Sequence, residues 1–301
     1  MNNAGKPERL DKILSNAGCG SRTDVKKMIR SGAAACDGVV VIDPEMKFAA
    51  ESTRITVGGV PINYSRYIYL MMNKPPGVVS ATYDQRRKTV LDLVPDFYRA
   101  RGVFPVGRLD ADTTGLLLLT DDGDLAHRLL SPKNHVEKEY MAVLDKKPGA
   151  EVVEGFARGV ELKTTGRLRP AALTPVDETQ PPVSASTADA ARTPGPATAA
   201  DDACTPGPAS ARELYQARVI VTEGKFHQIK RMFLAYGIRV VKLERVRMGP
   251  LCLDPALEAG GSRELTAAEL SLLRRAASTA ATAATTDTSA TAASADSEAP
   301  R

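Results

Sequence analysis

Apolar positions at the start of the chain recur at helical spacing. Leu10, Ile13, Leu14 and Ala17 fall on one helical face, which ends at Gly18 and Gly20. Ser21, three residues before Asp24, is a capping-box signal for a second helix over about 22–30, with Val25, Met28 and Ile29 turned inward. The period then changes to two: Val39, Val41 and Ile42 follow the Asp37-Gly38 turn as a short hairpin. From about residue 66 a second unit begins. Tyr67 to Met72 predicts an apolar strand, stopped by the turn Asn73-Lys74-Pro75-Pro76-Gly77. Val103, Phe104 and Val106 predict another strand, and Leu116 to Leu119 a third, just past a threonine-glycine turn. Leu125, Leu129 and Leu130 mark a short amphipathic helix over 124–130. In HVEKEYMAVL, residues 135–144, alternation puts Lys138 and Tyr140 on one face of a strand. Val219 to Val221 lead through a Glu223-Gly224 turn into a helix over about 227–236, closed by Gly237 and followed by a strand from Val240 to Leu243.

Two stretches carry no such pattern. Residues from about 178 to 211 are almost entirely Ala, Thr, Ser, Pro, Gly and Asp, and TPGPA occurs there twice. They hold too little large apolar surface to offset ordering entropy, so they are expected to be a disordered insertion. The segment 276–301 has the same bias and is expected to be a disordered tail, its Thr and Ser arguing against a packed helix. The remainder, within 301 residues of 43% hydrophobic content, suffices for a small unit and a medium one.

Composition removes several function classes. No apolar run reaches membrane-spanning length, and no apolar segment follows the first charges, so neither a membrane partner nor a secretory signal is expected. Cys19, Cys36, Cys204 and Cys252 are far apart and read as reduced thiols of a cytoplasmic protein. With three histidines besides, no local zinc set can be assembled, and no metal or other cofactor is expected. The cluster Thr120-Asp121-Asp122-Gly123-Asp124 lacks calcium-loop spacing and reads as a turn with a helix cap.

Net charge is only +4, but basic residues are concentrated. Arg22, Lys26 and Arg30, spaced by four with Lys27 beside them, form a stripe suited to a phosphate backbone, or simply a solvated helix face. Between Glu223 and Arg247 seven Lys or Arg stand against two Glu. A basic strand-to-helix turn of this kind can hold phosphate and keep a nearby carboxylate ionised. Asp110 lies at the end of an apolar strand beside a compact turn, where its backbone is fixed in advance, as a catalytic group requires. Taken alone, an aspartate so placed is usually a cap or turn former, Tyr140 is most commonly a half-buried strand tyrosine, and the 73–77 segment is a proline-rich turn.

The segment GRLDADTTGLLLLTDDGD, residues 107–124, resembles the catalytic motif of the RsuA/RluB-type pseudouridine synthases, in which the aspartate of GRLD acts on a uridine in RNA. NKPPGVVS resembles the opening motif of that family, the Lys138-x-Tyr140 pair its K-x-Y motif, and EGKFHQIKRM the motif supplying the basic partner of the aspartate. RLDKILSNAGCGSRTDVKKMIRSGAAACDGVVVID resembles the alpha-L RNA-binding domain first described in a small-subunit ribosomal protein. The motifs run in order over about 230 residues, closest to the RsuA type that modifies 16S RNA.

The resemblance implies an α+β fold: a small helical and hairpin RNA-binding domain over 1–62, then a catalytic domain over 66–275 built on a mixed, mainly antiparallel sheet. It implies Asp110 as nucleophile, Tyr140 stacking on the base and aiding deprotonation, and Lys230 as the cation, with Arg231 as the competing candidate. It also implies RNA contacts from Arg9, Lys12, Arg22, Lys26, Lys27 and Arg30 in the first domain. In the second, those contacts fall to Asn73, Lys74, Arg108, Lys138, Lys225, His227, Gln228 and Arg231. The expected partner is ribosomal RNA or a partly assembled small subunit, met by a monomer. Two other readings stay open: the same chemistry on large-subunit RNA, and a non-enzymatic assembly factor.

Overall fold

The computed structural model describes residues 7–50, 52–62, 64–162, 166–176 and 213–286. The insertion expected at 178–211, with Cys204, lies outside the described residues.

The N-terminal unit folds as its periodicity predicts. Helix α1 (Leu10–Asn16) and helix α2 (Arg22–Arg30) pack on a four-stranded sheet of β1 (Ala34–Cys36), β2 (Val39–Val40), β3 (Ile55–Val57) and β4 (Val60–Pro61), ordered β2-β1-β3-β4. The Ser21 hydroxyl accepts a hydrogen bond from the Asp24 amide at 3.3 Å and caps α2. Leu10, Ile13, Leu14, Val25 and Ile29 form one core with Ala34, Cys36, Val41 and Ile55. Met28 is only half-buried, and of Val39 to Ile42, Val41 alone turns in, leaving Val39, Val40 and Ile42 exposed. Arg101 ties this unit to the next. Its Nη1 donates to the Asn16 carbonyl at 2.8 Å, and its Nη2 to the Arg66 carbonyl and Asp121.

The second unit is a nine-stranded sheet among the described residues. Its path uses β5 (Tyr69–Lys74), β6 (Thr114–Thr120), β7 (Lys138–Leu144), β8 (Ala172–Val176), β9 (Tyr215–Val221), β10 (Val240–Met248) and β11 (Ser262–Glu264). The order is β8-β9-β7-β10-β6-β5-β11, with Phe104–Pro105 and Leu251–Cys252 pairing at the side. Every pairing is antiparallel except β10 with β6. The sheet is therefore mixed and mainly antiparallel, and the fold is α+β.

Both faces of this sheet are covered, which explains why Tyr69–Met72 and Leu116–Leu119 are unbroken apolar runs rather than alternating ones. Leu70, Met72, Leu117 and Leu119 meet Val152 and Phe156 of α4 (Ala150–Arg158) and Ile229, Met232 and Phe233 of α5 (Gln228–Leu234). Tyr69, Met71, Leu116 and Leu118 meet Leu125 and Leu129 of α3 (Gly123–Leu130) and Leu273 and Ala277 of α6 (Ala267–Thr286). Leu130, expected inside, is 41% exposed at the last position of α3, where Leu125, Ala126 and Leu129 form the buried face.

Helix α6 also corrects the expected boundary at residue 276. It runs on to Thr286, and the fully buried Ala277 sits one turn beyond Leu273. Alanine's helix propensity and two anchors at i, i+4 spacing outweigh the Thr and Ser content there. Residues 287–301 lie outside the described residues. Among the described residues, no helix is long and apolar enough to cross a membrane.

The acidic cluster serves as turn and cap. Asp122 accepts from the Leu125 amide and from the Tyr69 hydroxyl, and Asp121 accepts from the Ile68 amide and Arg101.

Candidate active site

Asp110 lies in the loop that enters β6, and this loop is held from beneath. Lys74, at the end of β5, is fully buried, and its Nζ donates to the carbonyls of Pro75, Ala111 and Thr113 at 3.0, 3.2 and 2.9 Å. The Ser80 hydroxyl donates to the Leu109 carbonyl and accepts from the Leu109 amide. Gly77, at a φ of +81°, brings its amide to the Ala111 carbonyl at 2.8 Å. A Cβ at this position would meet nothing within 4 Å, so glycine is required for its positive φ and not for a close approach. Burial pushes the Lys74 ammonium down to about 8, against the raising charges of Asp112 and Asp110.

The basic partner comes from α5. Lys230 Nζ is 3.5 Å from Asp110 Oδ2 and 2.5 Å from Asp112 Oδ1. Partial burial works against an ionised Asp112, but the Lys230 hydrogen bond and charge hold it below the ordinary carboxylate value. His227 Nε2 lies 3.5 Å from Asp110 Oδ1. Arg231, one residue along the helix from Lys230, reaches instead toward the Phe226 carbonyl at 3.4 Å, so Lys230 is the cation at Asp110.

Tyr140 completes the pocket from β7. It lines a pocket of about 70 Å³ with Asp110, Thr113, His227 and Lys230. Arg108, Asp110, Lys225 and His227 also wall a wider cleft of about 680 Å³, on which Phe226 lies 73% exposed, its ring stacked on His227. The three residues expected to act together, Asp110, Tyr140 and Lys230, are therefore brought to one place from three distant segments.

The expected RNA contacts divide. Arg22, Lys27 and Arg30 are exposed on α2, with Lys26 half-exposed and 3.9 Å from Asp11. Arg108 and Lys225 are exposed at the pocket mouth. Arg9 is paired with Asp11 and Glu45, and Lys12 with Glu8. Lys138 is buried with Nζ on the Val136 carbonyl, but it lines a cavity beside Tyr140. Three expectations are corrected because the groups face inward. Lys74 staples the Asp110 loop, and Asn73 gives its amide to the Leu257 carbonyl. Gln228 is buried too, accepting from the Lys225 amide and donating to Glu223, and so it shapes the 223–228 turn.

Three residues escape sequence reading. Asp112 shares Lys230. The Thr113 hydroxyl is buried in the pocket wall without a partner among the described residues. Arg245, 2% exposed, donates through Nε to the Leu116 carbonyl at 2.7 Å. Its signal is readable: Leu243 and Arg245 share the inward face by period two, so a guanidinium falls where an apolar side chain is expected.

The sequence model of the RNA pseudouridylate synthases matches residues 68–235, and that of the S4 domain matches residues 8–55. An uncharacterized RNA pseudouridine synthase of Bacillus subtilis, YtzG, is 41% identical over 265 residues, covering 88% of this chain and 98% of that protein. Ribosomal small subunit pseudouridine synthase A of Escherichia coli is 33% identical over 264 residues, covering 87% and 98%. A crystal structure of a pseudouridylate synthase superposes with a TM-score of 0.54 at 30% identity, covering 88% of this chain and 99% of that one. The loop-borne aspartate, its lysine partner and the pocket tyrosine thus stand in a chain that belongs to the RNA pseudouridylate synthase family and carries an S4 domain at its N-terminal end.

Proposed function

We propose that this chain converts one uridine of small-subunit 16S ribosomal RNA to pseudouridine, with Asp110 as the nucleophile. The observation that carries the reading is the convergence of Asp110, Lys230 and Tyr140 on one pocket. Similarity to synthases named for the ribosomal small subunit supports that RNA over the large-subunit one.

The target uridine leaves its stack, at a cost of a few kcal/mol, and enters beside Asp110. The carboxylate acts at the ribose, either by attack on the anomeric carbon or by removal of a ribose proton. The bond from that carbon to uracil N1 breaks, the ring turns, and C5 bonds to the same carbon as the carboxylate departs from it or returns the ribose proton. The proton on C5 then leaves, with Tyr140 as base or relay, and N1 ends protonated. The reaction is an isomerisation and balances without oxidant or cofactor. Lys230 keeps Asp110 ionised and oriented.

Residues 1–62 dock the RNA through Arg22, Lys26, Lys27 and Arg30, and residues 66–275 carry the chemistry. The protein acts as a cytoplasmic monomer on free RNA or a partly assembled small subunit.

The test is pseudouridine mapping of naked small-subunit RNA, partly assembled small subunits and large-subunit RNA, each incubated with the wild type or Asp110→Asn. One new small-subunit pseudouridine that depends on Asp110 is expected. Modification confined to large-subunit RNA overturns the substrate, and tight binding with no modification of any RNA overturns the enzyme in favour of an assembly factor.

A further inference from the structure

Behind Tyr140, away from Lys230, lies a second cavity of about 540 Å³. It shares Tyr140, Arg108 and the 223–225 turn with the Asp110 pocket. Its remaining charged walls are Lys138, Arg167, Arg169 and Arg245, and its one carboxylate is Glu223. That carboxylate is already engaged: it accepts from the Arg169 amide at 3.0 Å and from Gln228 at 2.9 Å, and Lys225 lies 3.6 Å away.

Lys138 and Arg245 are both buried, and neither has a carboxylate partner among the described residues. Tyr140 pairs across the strands with Arg245, and Lys138 stands two residues before it on the same face. Lys138 Nζ has one carbonyl partner, and Arg245 Nη2 has none. Burial and the Arg245 charge together push the Lys138 ammonium down to about 8. Two adjacent buried cations without a counterion are costly, and an unsatisfied guanidinium nitrogen adds to that cost. An anion entering the cavity removes both penalties.

We propose that this cavity is a subsite for a backbone phosphodiester of the substrate RNA, held by Lys138 and Arg245 on the far side of Tyr140 from the reacting uridine. The inference rests on the pseudouridine synthase reading for the identity of the polymer, and on the uncompensated buried cations for the phosphate. A guanidinium fork with a free Nη suits a phosphodiester oxygen, and the lysine supplies a second charge. Holding the phosphate next to the target nucleotide fixes the ribose relative to Asp110 while Tyr140 separates the two sites.

The test uses the full chain with two probes, pentauridylate and its counterpart with neutral methylphosphonate linkages. Affinities are measured for the wild type and Lys138→Met. The variant is expected to lose about tenfold in affinity for the charged oligomer, the scale of one charged hydrogen bond, while binding the neutral one as the wild type does. An equal charged-to-neutral ratio in the two proteins overturns the proposal. Should Lys138→Met not fold, Arg245→Lys, which keeps the charge but loses the fork, is read by the same ratio. Binding is measured apart from turnover. A wild type that modifies no RNA yet shows this charge-dependent loss keeps the phosphate subsite and overturns only the synthase reading.

Discussion

The two loops that meet at Asp110 are built on opposite plans. The 107–113 loop is fastened from inside the protein, by the buried Lys74 ammonium on three carbonyls and by the Ser80 and Gly77 bonds. It holds the Asp110 carboxylate at the pocket, with Arg108 and Asp112 exposed beside it. The 223–230 loop is shaped by the Gln228–Glu223 bond, but its tip is outward: Phe226 is exposed, and His227 takes a left-handed conformation at φ +49°. One loop spends its polar groups on itself, and the other leaves them to a ligand. On the proposed reading, the reacting carboxylate is on the more tightly hydrogen-bonded loop and the groups that would meet RNA are on the more exposed one, a division suited to a site that must be preorganised yet accept a bulky polymer.

The sharpest way to break this contrast is Asp110→Asn, which removes the function of the fastened loop without changing its shape. Turnover is expected to fall by at least about four orders of magnitude, as for removal of a nucleophile, with RNA affinity nearly intact. Substantial residual pseudouridine formation would move the chemistry elsewhere. Lys230→Met takes the cation that the outer loop and its helix bring to the inner one. We expect kcat to drop about a hundredfold, the range of a lost electrostatic contact at a developing charge, with KM little changed. The Asp112 carboxyl should titrate higher in this variant by carbon NMR, since Lys230 is what lowers it. An unchanged Asp112 titration would contradict the observed pairing.

Lys74→Met unfastens the inner loop. Three buried carbonyls lose their donor, a loss of about 1–3 kcal/mol in stability, and turnover should fall about tenfold as Asp110 loses its fixed position. The pH dependence gives a sign. A lysine held at about 8 when folded, against 10.5 free, binds fewer protons folded than unfolded between those values. Wild-type stability therefore gains from this group as pH rises through that window. Lys138 contributes alike to both proteins, so the gap between wild type and variant should widen from pH 7.5 to pH 9.5 in urea titrations. A constant gap would mean that Lys74 is not buried as an ammonium. The smallest effect belongs to Phe226→Ala, which should weaken RNA binding about fivefold, near the lower end for a stacked base, without altering kcat.

The same contrast governs what is legible in the sequence. Spacing alone reads Asp110 as a turn former and Tyr140 as a half-buried strand tyrosine; it is the family resemblance that singles them out with Lys230, and the fold brings the three to one pocket. The helical and strand periods yield α2 and most of the sheet. Lys74, Asn73 and Gln228 mislead because a charged or amide side chain reads as solvent-facing unless its partners are known. Those partners lie far along the chain: Ala111 and Thr113 for Lys74, and Leu257 for Asn73. A carbonyl acceptor leaves no mark in sequence. Arg245 is different, since the strand period it shares with Leu243 is enough to mark it as inward. The choice between Lys230 and Arg231 needs the rotation of α5, which spacing alone does not set.

Strands β8 and β9 are paired in register as far as Val176 opposite Gln216. The described chain therefore leaves the sheet at Val176 and returns to it at a point opposite, Gln216. Length at this hairpin is topologically free. Shortening residues 178–211 to a tight turn is therefore expected to keep the register that positions Tyr140 one strand away.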